Sequence, residues 1–145
     1  MNYALIYVSK ASQPMSAEDL RELSDQASST NAKLDLTGLL LYSGKYFMQI
    51  LEGDYEVLNT LFAKIANDPR HHSVDVLMGT PSTVRLFPQW SMGVIDVRNS
   101  AQIDAEVIND ICEQAEQQYE NVKDAALEAL KLFTYTDVDN KNTAA

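Results

Sequence analysis

A change of hydrophobic period at Gly53-Asp54 constrains this chain more than any other feature. Before it, Tyr46-Phe47-Met48-Gln49-Ile50-Leu51-Glu52 reads as a strand; after it, Val57, Leu58, Leu61, Phe62 and Ile65 recur at the i, i+3, i+4 spacing of a helix packed on one face, with Asp54 as N-cap. Asp68-Pro69 stops that helix. The same strand-to-helix change occurs earlier. Residues 2–8 run apolar like a buried strand, Ala11 to Met15 form a loop, and Ser16 caps a helix carrying Leu20, Leu23 and Ala27, with Asp19 three residues on as an acidic variant of the capping box. Ser28-Ser29-Thr30-Asn31 ends this first helix. Thr37 to Tyr42, the turn Ser43-Gly44-Lys45 and Tyr46 to Glu52 make a β-hairpin, and Val74–Met78 and Phe87–Val97 read as two further strands separated by a loop around Pro81.

The order is βαββαββ. Helices segregated beside a largely antiparallel sheet give an α+β, ferredoxin-like βαββαββ sandwich, because two βαβ-type crossovers place both helices on one sheet face. From Ser100 the pattern becomes Ile103, Val107, Ile108, Ile111, Cys112 and Ala115, then Tyr119, Val122, Ala126, Leu127 and Leu130, which reads as two C-terminal amphipathic helices with a break between Gln117 and Asn121. Their apolar faces need a surface, and the sheet face opposite the first two helices is the one free. The expected organisation is a domain over residues 1–97, a helical extension over 98–136 and a frayed tail over 137–145.

At 145 residues the chain suffices for one domain that buries roughly 68–70% of its unfolded surface. Its net charge of −10 argues against sequence-independent nucleic-acid binding, which needs clustered Lys and Arg. The acidity is uneven: residues 1–97 carry seven Lys/Arg against eleven Asp/Glu, whereas 98–145 carry four against ten. The extension is therefore expected to be a charged surface element, not a second core. A single cysteine, Cys112, and the lack of a leader-like N-terminus point to a cytoplasmic protein. No run approaches the roughly 18 to 20 apolar residues of a membrane span.

Within the strands, three residues are out of character. Gln49 is an amide on the same strand face as Phe47 and Leu51, where an unpaired polar group costs on the order of 1–3 kcal/mol. Tyr7 is in phase with Leu5, and Trp90 is in phase with Met92. Each alone is ordinary core; together on neighbouring strands they bring a phenol, an amide and a thioether or indole to one buried place, as a ligand site would. Lys64, Arg70, His71 and His72 gather at the end of the second helix, either answering its macrodipole or holding an anionic ligand group, and pattern does not decide between these. His71-His72 alone is too sparse for a metal shell, and solvated imidazoles in a helix-terminal loop are the preferred reading. Phosphate-loop, dinucleotide and nucleophile-elbow signatures do not occur.

In these residues the sequence resembles the BLUF family of flavin-binding blue-light sensors, over about residues 2–97. The resemblance is carried by Leu5-Ile6-Tyr7-Val8-Ser9, Asn31, Leu36-Thr37-Gly38-Leu39-Leu40-Leu41-Tyr42, Phe47 to Gly53, Asp68-Pro69-Arg70-His71-His72 and Trp90-Ser91-Met92, in that order. It implies a noncovalent flavin, FAD with FMN tolerated, between the two helices. It further implies Tyr7 as electron and proton donor and Gln49 as the bridge from that phenol to the flavin. Asn31 would hold the ring edge, with Leu23 and Ile65 on its faces. Lys64, Asp68, Arg70 and His71 would lie towards the ribityl and phosphate end, and Trp90 and Met92 would relay the change. One departure is Thr30, where many relatives carry a second amide or a His.

The extension is too short for a cyclase or phosphodiesterase domain, so the resemblance implies a non-enzymatic sensor of the short type. Such a sensor passes its signal to another protein, often within a homo-oligomer, and removal of residues 99–145 is expected to leave flavin binding largely intact. Two alternatives are an acylphosphatase-like hydrolase on the same fold and a flavin-free interaction domain. The first needs an arginine-bearing phosphate loop after the first strand, and Ser9-Lys10-Ala11-Ser12 has neither glycine nor arginine there.

Overall fold

The computed structural model describes residues 2–117 and 122–134. Five strands, β1 (Asn2–Ala11), β2 (Thr37–Tyr42), β3 (Tyr46–Asp54), β4 (His71–Pro81) and β5 (Gly93–Asp96), form one sheet in the order β4-β1-β3-β2-β5. All pairings are antiparallel except β2 with β5. Helices α1 (Ala17–Lys33) and α2 (Tyr55–Ala66) are the two crossovers, and α3 (Ala105–Glu116) and α4 (Val122–Lys131) follow the sheet. This is the ferredoxin-like α+β order expected, with β5 added at the β2 edge.

The caps fall where the sequence places them. The Ser16 hydroxyl accepts from the Asp19 N–H at 3.1 Å while the Asp19 carboxylate accepts from the Ser16 N–H at 2.9 Å, closing the capping box. The Asp54 carboxylate accepts from the Val57 N–H. The Ser28–Asn31 stretch, however, continues α1 for another turn to Lys33, since its side chains find partners outside the helix.

Alternation along the strands sorts side chains onto two cores. Leu5, Leu40, Tyr42, Phe47, Leu51 and Val94 pack with Leu20 of α1 and Leu58 of α2. Their neighbours in sequence, Ile6, Val8, Leu39, Leu41, Met48 and Ile50, pack with Ile108, Ile111, Cys112, Ala126 and Leu130 of α3 and α4. The extension thus covers the free sheet face and supplies half of a second core, contrary to the surface role its charge suggested. Among the described residues Val107 alone of the expected inward positions turns out, at 44% exposure, and Tyr119 lies outside the described residues. The α3 cap at Gln117 and the α4 start at Val122 bracket the expected break, and the expected tail at 137–145 lies outside the described residues.

The fifth strand departs most from expectation. Only Gly93–Asp96 is strand, and residues 87–92 are irregular. Pro88 lacks an N–H, the Leu86 and Phe87 N–H groups go to the Glu52 carboxylate, and the Trp90 carbonyl accepts from the Gly38 N–H at 3.1 Å, so no ladder extends back to Phe87. Trp90 and Met92 are therefore not in phase. Trp90 belongs to the α3/α4 core and Met92 to the α1/α2 core. Gly38 permits this: a Cβ there would stand 2.1 Å from the Ile50 carbonyl oxygen and 3.1 Å from Met92 Cε.

Candidate functional site

Between α1 and α2, above the centre of the sheet, lies a cleft of about 740 Å³. Its floor follows from strand register. Tyr7 of β1 is directly opposite Gln49 of β3, which is opposite Leu40 of β2, so the three stand in a row on one face. The Tyr7 hydroxyl donates to Gln49 Oε1. Gln49 Nε2 donates to Met92 Sδ at 3.4 Å, behind the cleft wall. One lone pair and one N–H of the amide are thereby used, leaving one of each for a ligand in the cleft. Burial, and secondarily the charge of Asp68, pushes the Tyr7 phenol well above the ordinary tyrosine value, so this hydroxyl keeps its proton.

The walls are two helical stripes. Leu23, Ala27 and Asn31 of α1 face Leu61, Lys64 and Ile65 of α2 across the opening. Apolar branched side chains on opposite walls of a slot, above a floor with spare amide capacity, fit a flat, partly polar aromatic ring. Asn31 is buried, and its Nδ2 donates to the Ser91 carbonyl at 2.8 Å; Ser28 Oγ donates to the Met92 carbonyl at 3.0 Å. Helix α1 therefore holds both the cleft and the segment carrying Met92.

At the rim, Arg70 Nε and Nη2 donate to Asp68 in a fork, and Nη1 reaches Gln26 of α1 at 3.3 Å, spanning the mouth. The guanidinium holds the Asp68 carboxyl below the usual carboxylate range. His71 is not a solvated imidazole. It is buried at 8% exposure, its Nε2 donates to the Ile65 carbonyl at 2.6 Å, and its Nδ1 meets Ser9 Oγ at 2.7 Å, fastening the end of α2 to β1. His72 beside it is exposed.

Of the residues singled out from sequence, Tyr7, Leu23, Asn31, Gln49, Lys64, Ile65, Asp68, Arg70 and His71 all line the cleft. Met92 lies one contact behind it through Gln49, and Trp90 packs on the other side of the sheet. Lining positions that sequence reading passed over include Gln26, Leu34, Thr60 and Leu61, while Thr30, noted only as a departure, lies among them. The signal was present as helical spacing: 23, 26, 27, 30, 31 and 57, 60, 61, 64, 65 are two i, i+3, i+4 stripes, disguised by their polar members. Among the described residues no three His, Cys, Asp or Glu side chains gather as a metal shell requires, and no helix is long and apolar enough to cross a membrane. The hydrolase alternative gains no support. The β1–α1 connection has no arginine, and its Ser12 and Met15 N–H groups are taken by the Arg70 carbonyl and the Tyr42 hydroxyl.

The family model described as BLUF, sensors of blue light using FAD, matches residues 3–93. The alpha subunit of a photoactivated adenylate cyclase from Euglena gracilis is 40% identical over 90 residues, covering 61% of this chain and 9% of that protein. The blue light- and temperature-regulated antirepressor BluF of Escherichia coli is 32% identical over 94 residues, covering 65% of this chain and 23% of that protein. Both are far longer than the stretch they share with this chain. Among solved structures, BlrB, a BLUF protein in its dark state, gives a TM-score of 0.73 at 25% identity, over 92% of this chain and 95% of that one. Klebsiella pneumoniae BlrP1 with FMN and cyclic diGMP gives 0.70 at 34% identity, over 94% of this chain and 35% of that one.

Proposed function

Because the chain belongs to the BLUF family of blue-light sensors, we propose that the cleft between α1 and α2 holds FAD, or FMN, noncovalently and that Tyr7 and Gln49 form one light-switched unit. The observation that carries this reading is the row Tyr7–Gln49–Met92, in which a buried amide takes a proton donor at its oxygen and offers its own N–H to a sulfur. When bound, the flavin supplies blue-light absorption and an excited state that accepts an electron. Tyr7 would be the donor of the electron and of its hydroxyl proton, which would enter the amide at Gln49 Oε1 while the amide passed one N–H proton on towards the flavin; return of both to Tyr7 would leave the amide rearranged. Rotation would set the carbonyl oxygen against Met92 Sδ, which has no proton to share, so Met92 would be released; tautomerisation would keep one N–H on that nitrogen.

Leu23 and Ile65 would clamp the ring faces, Asn31 its polar edge, and Lys64 with the Arg70–Asp68 pair the phosphate end. Movement of Met92 would pass along residues 90–92 to Trp90 and from there to α3 and α4, changing affinity for a downstream partner or a second copy of the chain. Such output requires different affinities in the two states. In this reading the chain senses and does not itself catalyse, and it acts in the cytoplasm. Purified protein should be yellow, release flavin on denaturation and show a reversible red shift under blue light. Tyr7→Phe and Gln49→Leu should each keep the flavin and lose the shift; a normal shift in both variants would refute the assignment.

A further inference from the structure

Glu52 is a buried carboxylate, at 2% exposure, with no part in the cleft chemistry. It stands on β3 three residues past Gln49 and therefore on the opposite face, in phase with Ile50 and Met48. Its oxygens accept from the backbone N–H of Leu86 at 2.6 Å and of Phe87 at 2.9 Å, and from Thr37 Oγ1 at 3.4 Å. The segment after Leu86 joins no strand ladder until Gly93, and at its start the Glu52 side chain takes the two N–H groups that a ladder would pair.

From that pin the chain runs to Phe87, whose ring stacks on Trp90 with centroids 5.7 Å apart. The Trp90 carbonyl is held by Gly38, the Ser91 carbonyl by Asn31, and Met92 Sδ by Gln49. Residues 86–92 are thus a bridge between the two faces of the sheet, gripped at both ends by side chains of the same strand. Burial raises the Glu52 carboxyl, opposed by the two N–H bonds, Thr37 and the nearby Arg85.

We propose that Glu52 is a positioning residue for signal output: it fixes the far end of this bridge, so that release of Met92 at the near end shifts Trp90 against α3 and α4 instead of relaxing the whole connection. This rests on the light-switch reading above. With the pin in place, the movable stretch is short and begins after Phe87. Without it, the Phe87–Trp90 stack loses its footing, and Trp90 is loosely seated in both states while the flavin site, on the other face, is unchanged.

Trp90 is the chain's single tryptophan, so emission excited at the long-wavelength edge, where the seven tyrosines do not absorb, reports on this position. Glu52→Gln and Glu52→Ala, purified with bound flavin, should retain the light-induced red shift. Their dark-state tryptophan emission should move to longer wavelength, acrylamide quenching should increase, and the light-minus-dark difference in emission should be lost. Emission, quenching and light response equal to the unsubstituted protein would overturn the proposal. If neither variant folds, amide exchange of the unsubstituted protein decides: Leu86 and Phe87 should stay protected in dark and light while Trp90 loses protection in light, and light-induced opening of Leu86 and Phe87 would overturn it. Absence of any flavin red shift in the unsubstituted protein would instead count against the light-switch reading itself.

Discussion

Two consecutive residues of β3, Met48 and Gln49, meet opposite surroundings. Met48 is fully buried in the core that the sheet shares with α3 and α4, whereas Gln49 stands with Tyr7 on the floor of a cleft of about 740 Å³. The face towards α3 and α4 is closed and mostly aliphatic at its centre. The other carries a phenol, an amide, the Ser9–His71 pair and open volume, so that part of its packing is left to a ligand. One sheet thus separates a tolerance for rearrangement from the core that keeps it folded, and the strand alternation makes that separation residue by residue.

The comparison is broken most severely by removing residues 99–145. Because α3 and α4 bury the closed face, the truncated chain should expose Ile6, Val8, Leu39, Leu41 and Ile50 and aggregate, a harsher outcome than sequence reading expected. A folded, flavin-binding truncation by size exclusion and circular dichroism would show that the two faces are independent. Next in size is Met48→Ala, expected to cost about 2–5 kcal/mol in denaturant unfolding while leaving the flavin spectrum in place. A cost below about 1 kcal/mol would mean that the closed face is loosely packed.

The smallest effect concerns pH. The Tyr7 value is raised in the folded protein, so its neutral form contributes stability that is fully present below the ordinary tyrosine pKa of about 10 and lost as pH rises through the folded value. The amplitude of the light-induced shift at pH 10 should therefore match that at pH 8, and a fall with a midpoint near 10 would place Tyr7 in water rather than in a sealed floor.

Much of this was legible from local pattern. The Ser16 and Asp54 caps, the hairpin at Ser43–Lys45 and the shared face of Tyr7 and Gln49 all depend on neighbours within a few residues or on strand parity. What was not legible depends on distant partners. Phe87–Met92 alternates like a strand, yet its backbone groups are claimed by Glu52, Gly38 and Asn31. His71 looks like a loop residue because its burial is imposed by Ser9 and the end of α2. The docking of the extension on the free sheet face was legible from its apolar spacing, whereas its charge alone suggested a surface element and did not show how much of a core it shares with the sheet.

The place of β3 between β1 and β2, paired along its length on both sides, also bears on how relatives can diverge. A one-residue insertion or deletion between Tyr46 and Glu52 would exchange the two faces for everything beyond it, sending Gln49 or its successors into the aliphatic core and Met48 into the cleft. Length in this strand is therefore expected to be frozen in any lineage that keeps the site, even where side chains drift. Change in length is free to accumulate in connections that carry neither face, and the exposed pair Thr83 and Val84, ahead of the Glu52 anchor, is where it would do least harm.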